Sequence, residues 1–142
     1  MISVSDNTAT DHLIDLVGRD AVEAVLAPMG NDAVDRNTPF LTTRELFIVK
    51  WGPDGLVDRY RDTDEAGRRA LLDGEVAAAS LPAVDAVDQQ VPVRVEEVEW
   101  FASSQAICRA LVWLAADETA TEILAVNPGV PDETGKWEQI LF

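Results

Sequence analysis

Cysteine and histidine each occur once, and lysine twice, in these 142 residues. A lone thiol, Cys108, builds neither an internal disulfide nor a cysteine-based zinc site. With His12 as the single imidazole, the usual donor sets for a transition metal are missing, so no metal and no cofactor is expected. Cys108 falls on the apolar stripe of an expected helix, which points to a buried, inert thiol. No run approaches the ~18 apolar residues of a membrane span. Met1-Ile2-Ser3-Val4-Ser5 has neither the basic region nor the apolar core of a secretory signal, so the chain as written is expected in the cytoplasm. Cations are also scarce, with 11 Lys and Arg against 26 Asp and Glu and a net charge of -15. So acidic a surface repels phosphate backbones and excludes nucleic acid as a partner. The charge reads as a solubility device, with attraction of a basic partner as the alternative.

What is present suits one globular unit over residues 1–142: 47% hydrophobic and 26% charged residues. The periodicities are mostly helical. Asn7 to Val17 places Ala9, Leu13, Leu16 and Val17 on one face, with Gly18 as its stop. Asp20 with Glu23 has the spacing of a capping box for a second helix, and the short link predicts that the two pack as a pair. Asn31 to Phe40 reads as a surface loop. Thr42 with Glu45 forms another box ahead of Leu46, Phe47 and Val49, and Gly52-Pro53-Asp54-Gly55 breaks that helix. A longer helix is expected from about Asp64 to Ala79, stopping before Pro82. Val91, Val93 and Val95 alternate with polar residues as a short edge strand would. Ser103 or Ser104 caps a helix carrying Ile107, Ala110, Leu111 and Leu114, and Glu118 to Ala125 forms the last one. Glu96, Glu97 and Glu99 read as a solvated edge, His12 as a surface or packing residue, and Trp137 to Phe142 as the start of a strand.

One segment has chemical content: Ser5-Asp6-Asn7-Thr8-Ala9, placed directly before the first amphipathic helix. Small polar residues at such a junction also serve as a plain helix cap, and that reading stands beside the chemical one. In its context, continuing through Leu13-Ile14, the segment resembles the serine β-lactamases and penicillin-interacting D-alanyl-D-alanine peptidases, most closely the class A β-lactamase-related branch. That resemblance implies a mainly α fold class: the helical domain of a β-lactamase/transpeptidase-like α/β fold, with a strand fragment near the C-terminus. It implies that the Ser5 hydroxyl relays a proton to a leaving nitrogen. Asn7 would bind the substrate's acylamide carbonyl and help orient an activating lysine, while Asp6 holds the loop. The substrate implied is a β-lactam, or a related acyl amide or ester.

The family's other two motifs are missing. Ser3, Ser5, Ser80, Ser103 and Ser104 are followed three positions on by Asp6, Thr8, Ala83, Ala106 and Ile107, so Ser-x-x-Lys does not occur. Neither Lys50-Trp51-Gly52, at an expected helix end, nor Thr134-Gly135-Lys136, in the wrong order, is the Lys-Thr-Gly strand. The loop matching the family's deacylation glutamate, Asn31 to Phe40, has Asp32 and Asp35 but no glutamate. The expectation is a hydrolase fragment, cut at both ends and inactive alone, possessing no nucleophile of its own and able to act with a complementing chain. The alternative is a small acidic helical interaction protein.

Overall fold

A computed structural model describes residues 6–83 and 92–125. Among these residues the fold is mainly α, with seven α-helices and no strand. Helix α1 spans Asn7–Val17, and Gly18, at φ 86°, turns the chain straight into α2, Arg19–Leu26. A positive φ is cheap only for glycine, which is why the break falls there. The Asp20–Glu23 box does not form: α2 starts at Arg19 with no side-chain cap. Glu23 instead accepts the Phe40 backbone N–H at 2.8 Å and pairs with Arg69. Those charge-assisted bonds tie three segments together, more than a local cap offers.

The segment expected as a surface loop is partly interior. It winds through a 3-10 turn, Val34–Asn37, and both Asn37 and Pro39 are buried. The Asn37 amide accepts the Phe101 N–H at 2.8 Å and donates to the Phe101 carbonyl at 2.7 Å. One side chain thus satisfies both backbone groups of a residue 64 positions away, as a neighbouring strand would.

Helix α3, Thr43–Trp51, carries the expected Thr42–Glu45 box at its start. Helix α4, Leu56–Asp62, follows the glycine break and was not foreseen, although Leu56, Val57 and Tyr60 have helical spacing and are all buried. Helix α5, Glu65–Leu71, runs on through a π-helical stretch, Leu72–Val76, and ends near Ala79 as expected. Arg44 of α3 donates to the Val76 and Ala79 carbonyls there, at 3.3 and 2.6 Å, which closes that C-terminal end. The core gathers Leu41, Leu46, Ile48, Val49, Leu56, Tyr60, Leu72 and Val76 from these elements, together with Val98. Each fully buried aliphatic side chain contributes about 1.5–3 kcal/mol.

Residues 92–103 cross this core without forming a strand. Arg94 sits at φ 53°, and its carbonyl accepts the Glu97 and Val98 N–H groups at 3.0 Å, so Val93 and Val95 belong to a coil and turn. A strand there would have no ladder partner among the described residues; Val91 lies outside them, as does the strand expected over Trp137–Phe142. Nor is the glutamate run simply solvated, since Glu99 pairs with the buried ammonium of Lys50 and Glu97 with Arg61 and Arg94. Helices α6, Ser104–Ala115, and α7, Glu118–Ala125, complete the described chain. Cys108 on α6 is exposed rather than buried, because α6 turns Ala106 inward and leaves Ile107, Leu111 and Val112 in solvent.

Tyr60 is the chain's one tyrosine, and burial pushes its phenol up to about 12. The folded state therefore holds this proton more tightly than the unfolded chain, where the value is about 10. Its contribution to stability is complete below pH 10 and is lost as pH rises through 12. Tyrosinate absorbance should titrate near 12 in the native protein and near the ordinary value, about 10, in denaturant. A single midpoint common to both conditions would show that the ring is not enclosed.

Candidate functional site

The candidate motif begins with Ser5, which lies outside the described residues, and continues into α1. Asp6 is the N-cap: extended at φ -84° and ψ 106°, it accepts the Ala9 N–H on Oδ1 at 3.0 Å. The Asp6 carbonyl accepts both the N–H and the hydroxyl of Thr10, at 3.1 and 3.0 Å. Asn7 follows as the first helical residue and is exposed, as is His12 one turn further on. The geometry of this junction is therefore set by the backbone and by Asp6, leaving the Asn7 amide at the surface.

Helix α1 has no fully buried residue, with Ile14 only half-buried, so apolar packing alone does not hold it. Asp11 anchors it as well. Its two carboxylate oxygens accept the backbone N–H groups of Thr43 and Arg44, at 2.7 and 2.8 Å. These are first-turn donors of α3 that the helix itself leaves unpaired. The Thr42 hydroxyl takes the next donor, Glu45 N–H, at 3.2 Å, and Glu45 Oε2 accepts the Thr42 N–H at 2.8 Å. Arg19, just past the Gly18 turn, grips the same Glu45 carboxylate with both Nη atoms, at 2.6 and 3.1 Å, and also donates to the Phe40 carbonyl. Burial draws the Arg19 guanidinium down, but the hydrogen bond and charge of Glu45 outweigh it and hold it above its ordinary value. Asp11 from within α1 and Arg19 from the start of α2 thus converge on one helix start.

Lys50 occupies the last turn of α3, with Gly52 ending the helix, so Lys50-Trp51-Gly52 has none of the strand geometry its letters imitate. Its side chain is only 3% exposed and is committed to Glu99. In the Asn31–Phe40 segment, Asp32 accepts the Ser103 N–H at 3.1 Å and the Ser103 hydroxyl, while Ser103 caps α6. The Ser103 hydrogen bonds hold the Asp32 carboxyl below its ordinary range. Asp35 lies exposed on the 3-10 turn. Asp11 and Arg19 went unread in the sequence because their partners stand 32 and 26 positions away. The Thr42–Glu45 box was the one local signal that a helix start lay there.

Residues 1–65 match the family model described as the β-lactamase enzyme family. The matched span holds the Ser5-Asp6-Asn7 segment, α1 to α4, and the whole capped start of α3. No curated protein matches the chain. Among the described residues no helix is long and apolar enough to cross a membrane.

Removing the clamp should loosen the first helix without touching the core. Asp11→Ala is expected to lower the urea midpoint by an amount equivalent to about 1–2 kcal/mol, the cost of a lost helix cap. Asp6→Asn should leave the midpoint within a few tenths of a kcal/mol, roughly, because asparagine caps as well as aspartate. Equal effects of the two substitutions would remove the distinction between a long-range clamp and a local cap.

Proposed function

We propose, from the match of residues 1–65 to the β-lactamase enzyme family model, that the chain is related to the serine β-lactamases and that Ser5-Asp6-Asn7 forms one wall of an acyl-transfer pocket. The observation that carries this reading is the position of the segment: it lies inside the matched span, at a junction where Asp6 takes the capping duty and Asn7 is left exposed. In that wall the Ser5 hydroxyl passes a proton to the nitrogen that leaves when the acyl bond breaks. The Asn7 amide hydrogen-bonds the substrate's acylamide carbonyl and helps orient the lysine that activates the nucleophile. Asp6 is structural. A proton relay beside rigid amide recognition is what attack on an unreactive acyl carbon requires.

The substrate class is a β-lactam, a D-alanyl-D-alanine-type amide or a simple ester. None of the 142 residues supplies serine and lysine in the family's Ser-x-x-Lys spacing, and the Lys-Thr-Gly run is absent too. The wall works with a nucleophile contributed by another segment or a complementing chain. By itself the chain forms no acyl-enzyme. With Asp32 tied to Ser103, and no glutamate between Asn31 and Phe40, the assembled pocket acylates faster than it hydrolyses.

Two measurements test this. The purified chain should take up no fluorescent penicillin under denaturing electrophoresis, and a covalent band would refute the proposed division of labour. In the assembled, acylating protein, Ser5→Ala should slow acylation roughly 10²–10⁴-fold, as loss of a general acid–base group does. Unchanged acylation would leave Ser5-Asp6-Asn7 as a helix cap and nothing more.

A further inference from the structure

The chain contains two Asp-Gly pairs and no Asn-Gly, and the fold holds the two pairs differently. Asp54-Gly55 lies in the break between α3 and α4. Both residues are exposed, Gly55 takes the left-handed conformation at φ 74°, and nothing crowds the place where a Cβ would stand. The turn is closed by the Leu56 N–H, which donates to the Pro53 carbonyl at 3.1 Å. The Gly55 N–H meets no acceptor among the described residues. Asp73-Gly74 is equally exposed but sits inside the π-helical stretch Leu72–Val76, with α5 before it and helical residues after it. Inside such a run each backbone N–H is tied to a carbonyl about one turn earlier.

An aspartyl carboxyl can reach the backbone nitrogen of the residue after it. When that nitrogen is free it attacks Cγ: a C–N bond forms, and the hydroxyl of the protonated carboxyl leaves with the amide proton as water. The product is a five-membered imide. Solvent water then reopens the ring at one of its two carbonyls. Opening on the Cγ side restores aspartate. Opening at the former backbone carbonyl gives isoaspartate, whose main chain runs through Cβ and Cγ with no change in mass. Glycine favours the reaction, because it has no side chain to shield its nitrogen and its backbone turns freely. A helix opposes it, because closure has to break an N–H···O bond and rotate the aspartyl Cα–C bond out of the ladder.

We infer that Asp54 is a site of spontaneous isoaspartate formation in the folded protein, and thereby an acceptor for isoaspartyl carboxyl methylation, whereas Asp73 is protected by its helix. The isomerised link carries one extra main-chain carbon just ahead of Leu56, which is wholly buried, so the change is passed straight to the core. The site is independent of Ser5-Asp6-Asn7 and stands or falls without it.

The test ages the full chain, folded, in mildly acidic buffer at body temperature. Trypsin then separates the two sites, cutting after Lys50 and Arg59 around Asp54 and after Arg69 and Arg94 around Asp73. The peptides are labelled with an isoaspartyl O-methyltransferase and radioactive S-adenosylmethionine. Label in the Trp51–Arg59 peptide should grow about tenfold or more faster than in the Ala70–Arg94 peptide, since closure at Asp73 waits on local opening of the helix. In guanidinium chloride, where neither pair is held, the two rates should converge. Asp54→Glu keeps the charge but must close a less favoured six-membered ring, and it should abolish the label in the first peptide. Asp54→Asn should shed ammonia by the same route, seen as the mass gain of amide-to-acid exchange in that peptide. Equal labelling of the two peptides from the folded chain would make the reaction a property of the Asp-Gly letters alone and overturn the inference. So would an unlabelled Trp51–Arg59 peptide, or label there that survives Asp54→Glu and so belongs to Asp58.

Discussion

The first turn of α3 is the point on which the described fold depends. A helix start exposes four backbone donors, and leaving them unpaired in a partly buried place costs several kcal/mol in sum, roughly 1–3 each. Here the acceptors come from different parts of the chain: Thr42 locally, and Asp11 from a helix that ended 26 residues earlier in the turn at Val17. Satisfying α3 therefore positions α1. Because no side chain of α1 is fully buried and Ile14 is only half-buried, this polar clamp reinforces a thin version of the apolar seam that normally seats a surface helix. Arg19 and Glu45 then lock the Gly18 turn, and Glu23 with Arg69 carries the tie across to α5.

Beneath that polar layer the core is conventional, and its one exception is instructive. Lys50 ends α3 with its ammonium almost wholly enclosed, paired with Glu99 and lying 5.5 Å from the Trp51 ring. A buried pair of this kind adds little against a well-packed apolar pair, but removing one partner strands the other and costs about 3–5 kcal/mol. The pair moors residues 92–103 to α3 beside Val98, the one residue of that segment in the core. The same commitment makes Lys50 a structural residue, unfit to serve as the base of an acyl-transfer site while it holds Glu99.

Much of this was legible in the amino-acid order. Helices α1 and α7 have the expected limits, and Thr42–Glu45, Gly18 and Ser103 do the capping that their types and positions imply. Those signals are local, set by hydrogen bonds within four residues. What failed was long-range. Glu23 had a perfect local role and took a distant one; Asn37 looked like loop filler and became a backbone surrogate for Phe101. Cys108 sat on an apolar stripe, yet the stripe points outward, because periodicity says which residues share a face and not which face meets the core. The candidate site was read from one motif, and its supporting clamp at Asp11 had no motif to announce it.

The staple between Asn37 and Phe101 also bears on how such a chain tolerates change in length. Residues 92–103 are moored at Glu99 by Lys50, at Trp100 by the Leu41 carbonyl and at Phe101 by Asn37, all upstream of α6. The spacing between positions 83 and 92 is thereby uncoupled from where α6 lands. A change in length between Phe101 and Ser103, by contrast, falls after these three moorings and moves α6 directly.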